Sequence, residues 1–312
     1  RTVSSIQVNT IRFDDNSHSC RGLYFAECTD TVVKNLIISN SNILRNHGNA
    51  IMLSSTNEPI KRCTIENCNF INCGESDYVI YSTLNLFTIN QSNITFSEQN
   101  QKELGAIFFP KIANYTINKL NIINISGYGI TFSDDDRLIK PYSIRLSRCS
   151  FSKCKKNCVL IKLRGDSFTL NNFSFSELEF DSTFMKLEGN TETINFDTVT
   201  FQNCPSNKAN LNHIFDIPDN NCEFNFNKCT IAGCRFSSSL SCVYFGRTGR
   251  YTFRKTNLIS LRDGGIIFSD EENGELNRPL EIELLDDTSF PMCDCCVKFN
   301  MINSPISNCL FD

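Results

Sequence analysis

The chain has 312 residues, a formal charge of −4, 40% hydrophobic and 21% charged residues, a balance that fits a large folded core or a repeat array and excludes a disordered tail. Its longest apolar runs, such as residues 106–110, fall far short of the roughly 20 residues that a bilayer helix needs, so no transmembrane segment is expected. The near-neutral charge argues against nucleic acid, whose binding needs a concentrated basic face.

The first residue is Arg1, and no apolar leader follows it. The chain therefore reads as a mature piece of a longer protein, its targeting signal and anchor lying elsewhere. With 26 Phe, 8 Tyr, no Trp and 38 Asn, the composition favours many short strands joined by many turns.

In chain order, apolar pairs two residues apart recur at Leu23 and Phe25, Ile51 and Leu53, Val79 and Tyr81, Ile107 and Phe109, Ile130 and Phe132, and Ile161 and Leu163. They continue at Met185 and Leu187, Phe215 and Ile217, Val243 and Phe245, Ile266 and Phe268, and Val297 and Phe299. Spacing by two is strand periodicity. The steps between pairs run from 23 to 31 residues with a mean of 27.4. Between them lies a second set of strand-like strings, at 63–70, 143–146, 193–196 and 251–253. A propeller blade needs about 40 residues, whereas a coil of a parallel β-helix needs roughly 20 to 30. The expected fold is thus all-β: a right-handed parallel β-helix solenoid of about eleven coils. In this register Phe132 and Phe268 share an interior stack, and Thr131 faces solvent.

Residues 115–134 align without a gap on residues 251–270, an offset of 136, with ten of twenty positions identical. The strings beginning at Val79, Ile107, Ile130 and Ile161 reappear at the same offset at Phe215, Val243, Ile266 and Val297. The chain is accordingly expected to be a single β-helix domain over 1–312 with an internal duplication of about five coils.

The strings Asn49-Ala50-Ile51, Gly105-Ala106-Ile107 and Gly264-Gly265-Ile266-Ile267 alternate with Cys-x-Phe-x-Asn-Cys at 68–73 and a degenerate form at 199–204. In these motifs the chain resembles the polymorphic outer-membrane protein repeats, within the pectate-lyase-like superfamily. The resemblance implies a right-handed parallel β-helix and an adhesin-like passenger role at a cell surface.

Of 17 cysteines, Cys68, Cys149 and Cys229 share one repeat column, with Val199 in the same place, and Cys73, Cys154, Cys204 and Cys234 share another. Columns that also accept Val or Leu read as interior, with the thiol as a small core hydrophobe. Stacked residues about 4.8 Å apart make Cys204 with Cys234 a candidate disulfide. The chain has only 3 His and no paired metal-ligand spacing, so no metal and no cofactor is expected.

Asp134, Asp135 and Asp136 follow one string, and Asp270, Glu271 and Glu272 follow its duplicate. Five coils separate the groups by about 24 Å, beyond the roughly 5–10 Å of a glycosidase acid pair, so they read as charged turns. His47 with Gly48, and the run 137–140, match a pectin-hydrolase pattern only in the wrong order. No catalytic residue is assigned.

Among the sequons, Asn90, Asn93, Asn114 and Asn172 sit outward beside apolar residues and are candidate glycosylation sites. Arg247, Arg250, Arg254, Lys255 and Arg262 form a basic cluster, a candidate site for an anionic ligand such as a sulfated or sialylated glycan. The expected role is a non-enzymatic surface or secreted module for adhesion, glycan or protein binding, or assembly, its partners being a surface protein or glycan or further copies end to end. The alternatives are a polysaccharide-degrading β-helix enzyme and an intracellular filament or scaffold subunit.

Overall fold

The computed structural model describes residues 2–16, 22–25, 32–46, 48–54, 60–73, 78–96, 105–111, 113–133, 143–162, 167–180, 184–188, 193–203, 215–216, 223–232, 243–245, 250–259, 266–269, 280–285, 288–289, 297–300 and 306–311. Among these the regular elements are strands, and the strands pair in parallel. Parallel neighbours need a crossover of a dozen or more residues, which each coil supplies. The chain divides into two compact units, Arg1–Leu160 and Ile161–Asp312.

In the first unit, the first ladder runs through Thr2–Asn9, Val32–Ser39, Cys63–Glu66, Leu86–Thr95, Asn114–Ile123 and Ser143–Ser147. Its register stacks Leu36, Cys63, Phe87, Tyr115 and Ile144, and beside them Ile38, Ile65, Ile89, Ile117 and Leu146, all buried. The intervening side chains Ile37, Thr64, Thr88, Thr116 and Arg145 face outward, as strand alternation requires, and all but Ile37 are polar. A second ladder stacks Ile43, Phe70, Ile94, Ile122 and Phe151. The third joins Leu23–Phe25, Ile51–Leu53, Tyr78–Ser82, Gly105–Phe109 and Ile130–Ser133.

The third ladder is the string repeat, with one change of register. Ile51 and Ile107 both pair with Ile80, not with Val79. Ile80 and Ser82 are therefore the inward pair and Tyr81 points out. Two adjacent apolar residues leave the sequence unable to choose between these registers, and the ladder chooses.

The second unit repeats the plan. Its first ladder contains Ser167–Asn171, Thr193–Asp197, Glu223–Asn227, Arg250–Arg254, Leu280–Leu285 and Ile306–Phe311. Its second joins Phe173–Ser176, Thr200–Gln202, Thr230–Ala232 and Asn257–Ile259. Met185 pairs with Phe215, and Val243, Ile266 and Val297 stack in turn. Phe196, Phe226 and Phe253 stack with centroids 4.7 Å apart at each step, a favourable offset geometry for rings. Tyr115 meets Phe132 at 5.6 Å, and the duplicate pair Tyr251 and Phe268 meets at 5.0 Å.

The expected count of about eleven coils changes slightly. Among the described residues the first ladder holds six strands in each unit, because Thr2–Asn9 precedes the first string and Ile306–Phe311 follows the last.

Between the first and second ladders a single left-handed residue turns the chain in coil after coil: Thr10, Asn40, Asn67, Gln91, Lys119 and Arg148, then Asn172, Thr198, Lys228 and Lys255, with φ from 50° to 58°. A second left-handed corner follows five residues later at Asn72, Asn124, Lys153, Glu177 and Asn203. The pairing continues through the bends: the Asn40 N–H donates to the Glu66 carbonyl and the Thr198 N–H to the Asn227 carbonyl. A left-handed non-glycine residue costs roughly 1–2 kcal/mol, less for Asn, so the regular pairing has to hold these corners in place.

Candidate binding face

Outside the corners, side chains of like kind bond to one another from coil to coil. Ser150 Oγ donates to Asn121 Oδ1 (2.8 Å), Asn121 Nδ2 to Asn93 Oδ1 (2.8 Å), Asn93 Nδ2 to Asn69 Oδ1 (2.7 Å) and Asn69 Nδ2 to Asn42 Oδ1 (2.9 Å). A parallel ladder on the neighbouring face links Ser147 to Asn118, Asn118 to Asn90, and Asn90 to Glu66. In the second unit, Asn225 donates to Asn195 and Asn227 to Asp197. Each inner ladder amide spends one N–H and one lone pair on its neighbours, leaving the other N–H and lone pair for a partner. The rows are fixed at one-coil spacing, so little side-chain entropy remains to be lost on binding.

These ladders sort the candidate glycosylation sites. Asn90 and Asn93 are half-buried within the ladders, whereas Asn114 opens a strand and Asn172 occupies a corner, both exposed. Asn124 turns its Nδ2 to the Phe96 carbonyl (2.9 Å), and its Oδ1 is buried without a partner.

Of the basic cluster, Arg247 and Arg262 lie outside the described residues, as do Cys204, Cys234, His47 and the acidic runs 134–136 and 270–272. Arg250 pairs across the strands with Glu223 and Glu281 and donates to Glu283 Oε1 at 3.2 Å. The hydrogen bond to Glu283, followed by that carboxylate's charge, pushes the guanidinium above its ordinary range. An anionic ligand at Arg250 would compete with three carboxylates. Arg254 and Lys255 are exposed at the next corner.

The cysteine columns are interior, and they do more than fill space. At six of the ten described first corners the next residue is buried and bonds to the carbonyl two positions earlier: Ser41 Oγ to Ser39 (2.8 Å), Cys68 Sγ to Glu66 (3.2 Å), Ser92 Oγ to Asn90 (3.0 Å), Cys149 Sγ to Ser147 (3.3 Å), Cys229 Sγ to Asn227 (3.4 Å) and Thr256 Oγ1 to Arg254 (3.1 Å). Cys therefore stands in for Ser or Thr as a donor at the bend. Cys73 does the same at the second corner, toward Ile71 and Ile43. Cys63, Cys68, Cys73, Cys149, Cys154, Cys158 and Cys229 are buried and free of disulfides. Burial raises the thiol pKa to about 11 at Cys149 and about 12 at Cys229, and it also raises those of Cys68 and Cys63, which keeps the S–H donor in place at neutral pH.

Replacing Cys149 by Ser is expected to change stability by less than about 0.5 kcal/mol, while Cys149→Ala loses about 1 kcal/mol with the buried hydrogen bond to the Ser147 carbonyl; urea denaturation of the two variants measures the difference. The raised pKa also fixes a sign. The thiol's contribution is complete below its unfolded value of about 9 and disappears as pH rises through about 11, so the wild-type midpoint falls faster than that of Cys149→Ser across that window.

The third ladder's outer face holds a correction. Thr131, expected to face solvent, does point away from the core and pairs in register with Phe108. Yet it is 0% exposed, and its hydroxyl has no hydrogen-bond partner. Phe108 beside it is half-buried under Tyr78, the rings stacked at 4.8 Å. Strand alternation says which side a residue takes, not whether that side is covered. Thr131→Val, which keeps the shape and removes the orphaned hydroxyl, is therefore expected to stabilise the protein by about 1–2 kcal/mol, read as a higher melting midpoint.

Among the described residues no helix is long and apolar enough to cross a membrane. Comparison with curated proteins and with solved structures gives no match. A family model described as "Right handed beta helix region" matches residues 21–180, just over half of the chain. With parallel ladders repeated coil upon coil through those residues, the chain belongs to the right-handed β-helix family.

Proposed function

We propose that the chain is a non-catalytic binding module of a surface or secreted protein, working in adhesion or assembly. The observation that carries this reading is the amide and hydroxyl ladder on the outer faces: a row of half-used hydrogen-bonding groups, repeated at about 4.8 Å and held rigid, suits an extended repetitive partner such as a glycan chain. A catalytic site needs a few convergent groups of shifted pKa in one cleft. Among the described residues the shifts belong to buried thiols, one buried tyrosine and an arginine among carboxylates.

The test is retention of the purified chain on immobilised polysaccharides and surface proteins, with chromatography of the polysaccharide afterwards. Retention with no shortening of the polymer is the expected result. New chain ends would overturn the reading in favour of a polysaccharide-cleaving enzyme.

A further inference from the structure

Residues 105–162 contain ten Lys or Arg and three Asp, a surplus of seven positive charges in a chain whose total is −4. The three Asp, at 134–136, lie outside the described residues, and the described parts of this stretch contain no Asp or Glu. The cations are scattered in sequence, and the coil gathers them. Lys119 and Arg148 occupy the first corner of consecutive coils, since Asn118 pairs with Ser147 just before them. Lys153 takes the second corner. Arg145 faces outward on the preceding strand, and Lys155 follows the second corner; all five are exposed.

Backbone preference does not account for this choice. Lys119, Arg148 and Lys153 are left-handed, with φ of 52°, 54° and 53°, where Asn is the better tolerated residue and where Asn40, Asn67 and Asn72 stand in other coils. Lys119 and Arg148 also place like charges about 5 Å apart, one coil above the other. Between the two corners runs the Asn69, Asn93, Asn121 and Ser150 ladder. The strip thus has cations along both edges, roughly 16 Å apart at about 3.3 Å per residue, and amides and hydroxyls along the middle.

We infer that this strip, the outer side of coils 114–124 and 143–155, is a docking face for a sulfated polysaccharide. The cations meet the sulfates and the ladder meets the sugar hydroxyls, so the chemistry needs no change of conformation. A single-stranded nucleic acid has the charge but asks for aromatic platforms, and the outward residues of the middle strands here are Asn121, Ile123, Ser150 and Ser152. The inference names a ligand class for the binding module proposed above and rests on that reading.

The test is affinity of the full chain for a heparin-type sulfated polysaccharide, its desulfated counterpart and single-stranded DNA, across a salt series. Two variants are compared: Lys119→Asn with Arg148→Asn and Lys153→Asn, and, as an equal loss of charge from exposed positions outside both basic clusters, Lys34→Gln with Lys61→Gln and Arg62→Gln. Asn suits the left-handed corners, so the first variant should melt no lower than the wild type. The expected result is salt-sensitive binding of the sulfated chain alone, weakened at least tenfold in the first variant and less than twofold in the second. Equal loss in both variants, equally tight DNA binding, or no binding of the sulfated chain would overturn the inference. Retention of a neutral glycan or a protein, undisturbed by the first variant, would overturn it while leaving the binding module standing.

Discussion

Phe132→Asp should cost at least about 4 kcal/mol, a large share of the roughly 5–15 kcal/mol by which a domain is stable. Phe132 is 0% exposed, lies parallel to Phe109 at 5.3 Å and touches Tyr115 at 5.6 Å. The substitution removes the ring from both contacts and places a carboxylate where no donor awaits it. Phe268→Asp should do the same in the second unit, where Phe268 meets Tyr251 at 5.0 Å. Tyr24, outward on the same ladder and 50% exposed, should accept Asp for less than about 1 kcal/mol. Circular dichroism through a urea series separates the three, and an unchanged midpoint for Phe132→Asp would refute the interior stack.

Gly129→Ala is expected to cost about 2–3 kcal/mol from a single methyl. A Cβ at Gly129 would lie 2.5 Å from the Cys158 carbonyl oxygen and 3.0 Å from Phe151. That carbonyl accepts the Ile130 N–H at 2.9 Å, so pushing it away breaks a ladder bond as well. At Gly105 the atoms nearest to the added methyl belong to the Tyr78 ring, a side chain on a strand end that can swing aside. Gly105→Ala should therefore cost less. Equal drops in melting midpoint would show that the backbone clash is not what keeps Gly at 129.

The apolar pairs made the solenoid legible because inward residues must alternate and must recur once per coil. The same rule failed at Val79, where two neighbouring apolar residues fit equally and only the pairing of Ile80 with Ile51 and Ile107 decides. It failed at Thr131 because cover over the outside of a ladder leaves no trace in its period. The corners were invisible: Lys119, Gln91 and Thr198 carry none of the Gly or Asn signature of a left-handed residue and are held there by pairing. The cysteine columns were legible as interior, yet their hydrogen bonds were not, since Cys, Ser and Val share those positions and only geometry shows that the first two donate. The basic face followed the same pattern. Residues 247–262 stand out as a compact run, while Lys119, Arg145, Arg148 and Lys153 spread over 35 positions and meet only once the coils are stacked.

The two corners stand five residues apart wherever both are present, at 67 and 72, 119 and 124, 148 and 153, 172 and 177, and 198 and 203, although whole coils vary from 23 to 31 residues. The short segment between corners is thus a fixed gauge, and all tolerance in coil length belongs to the remainder of the turn. One residue inserted between Arg148 and Lys153 would flip the frame, sending Phe151 outward and Ser152 into the core. Evolution of such a chain is consequently free to lengthen a coil, and so to carve new relief on its surface, along part of the perimeter only; the gauge segments form a spine against which that variation is measured.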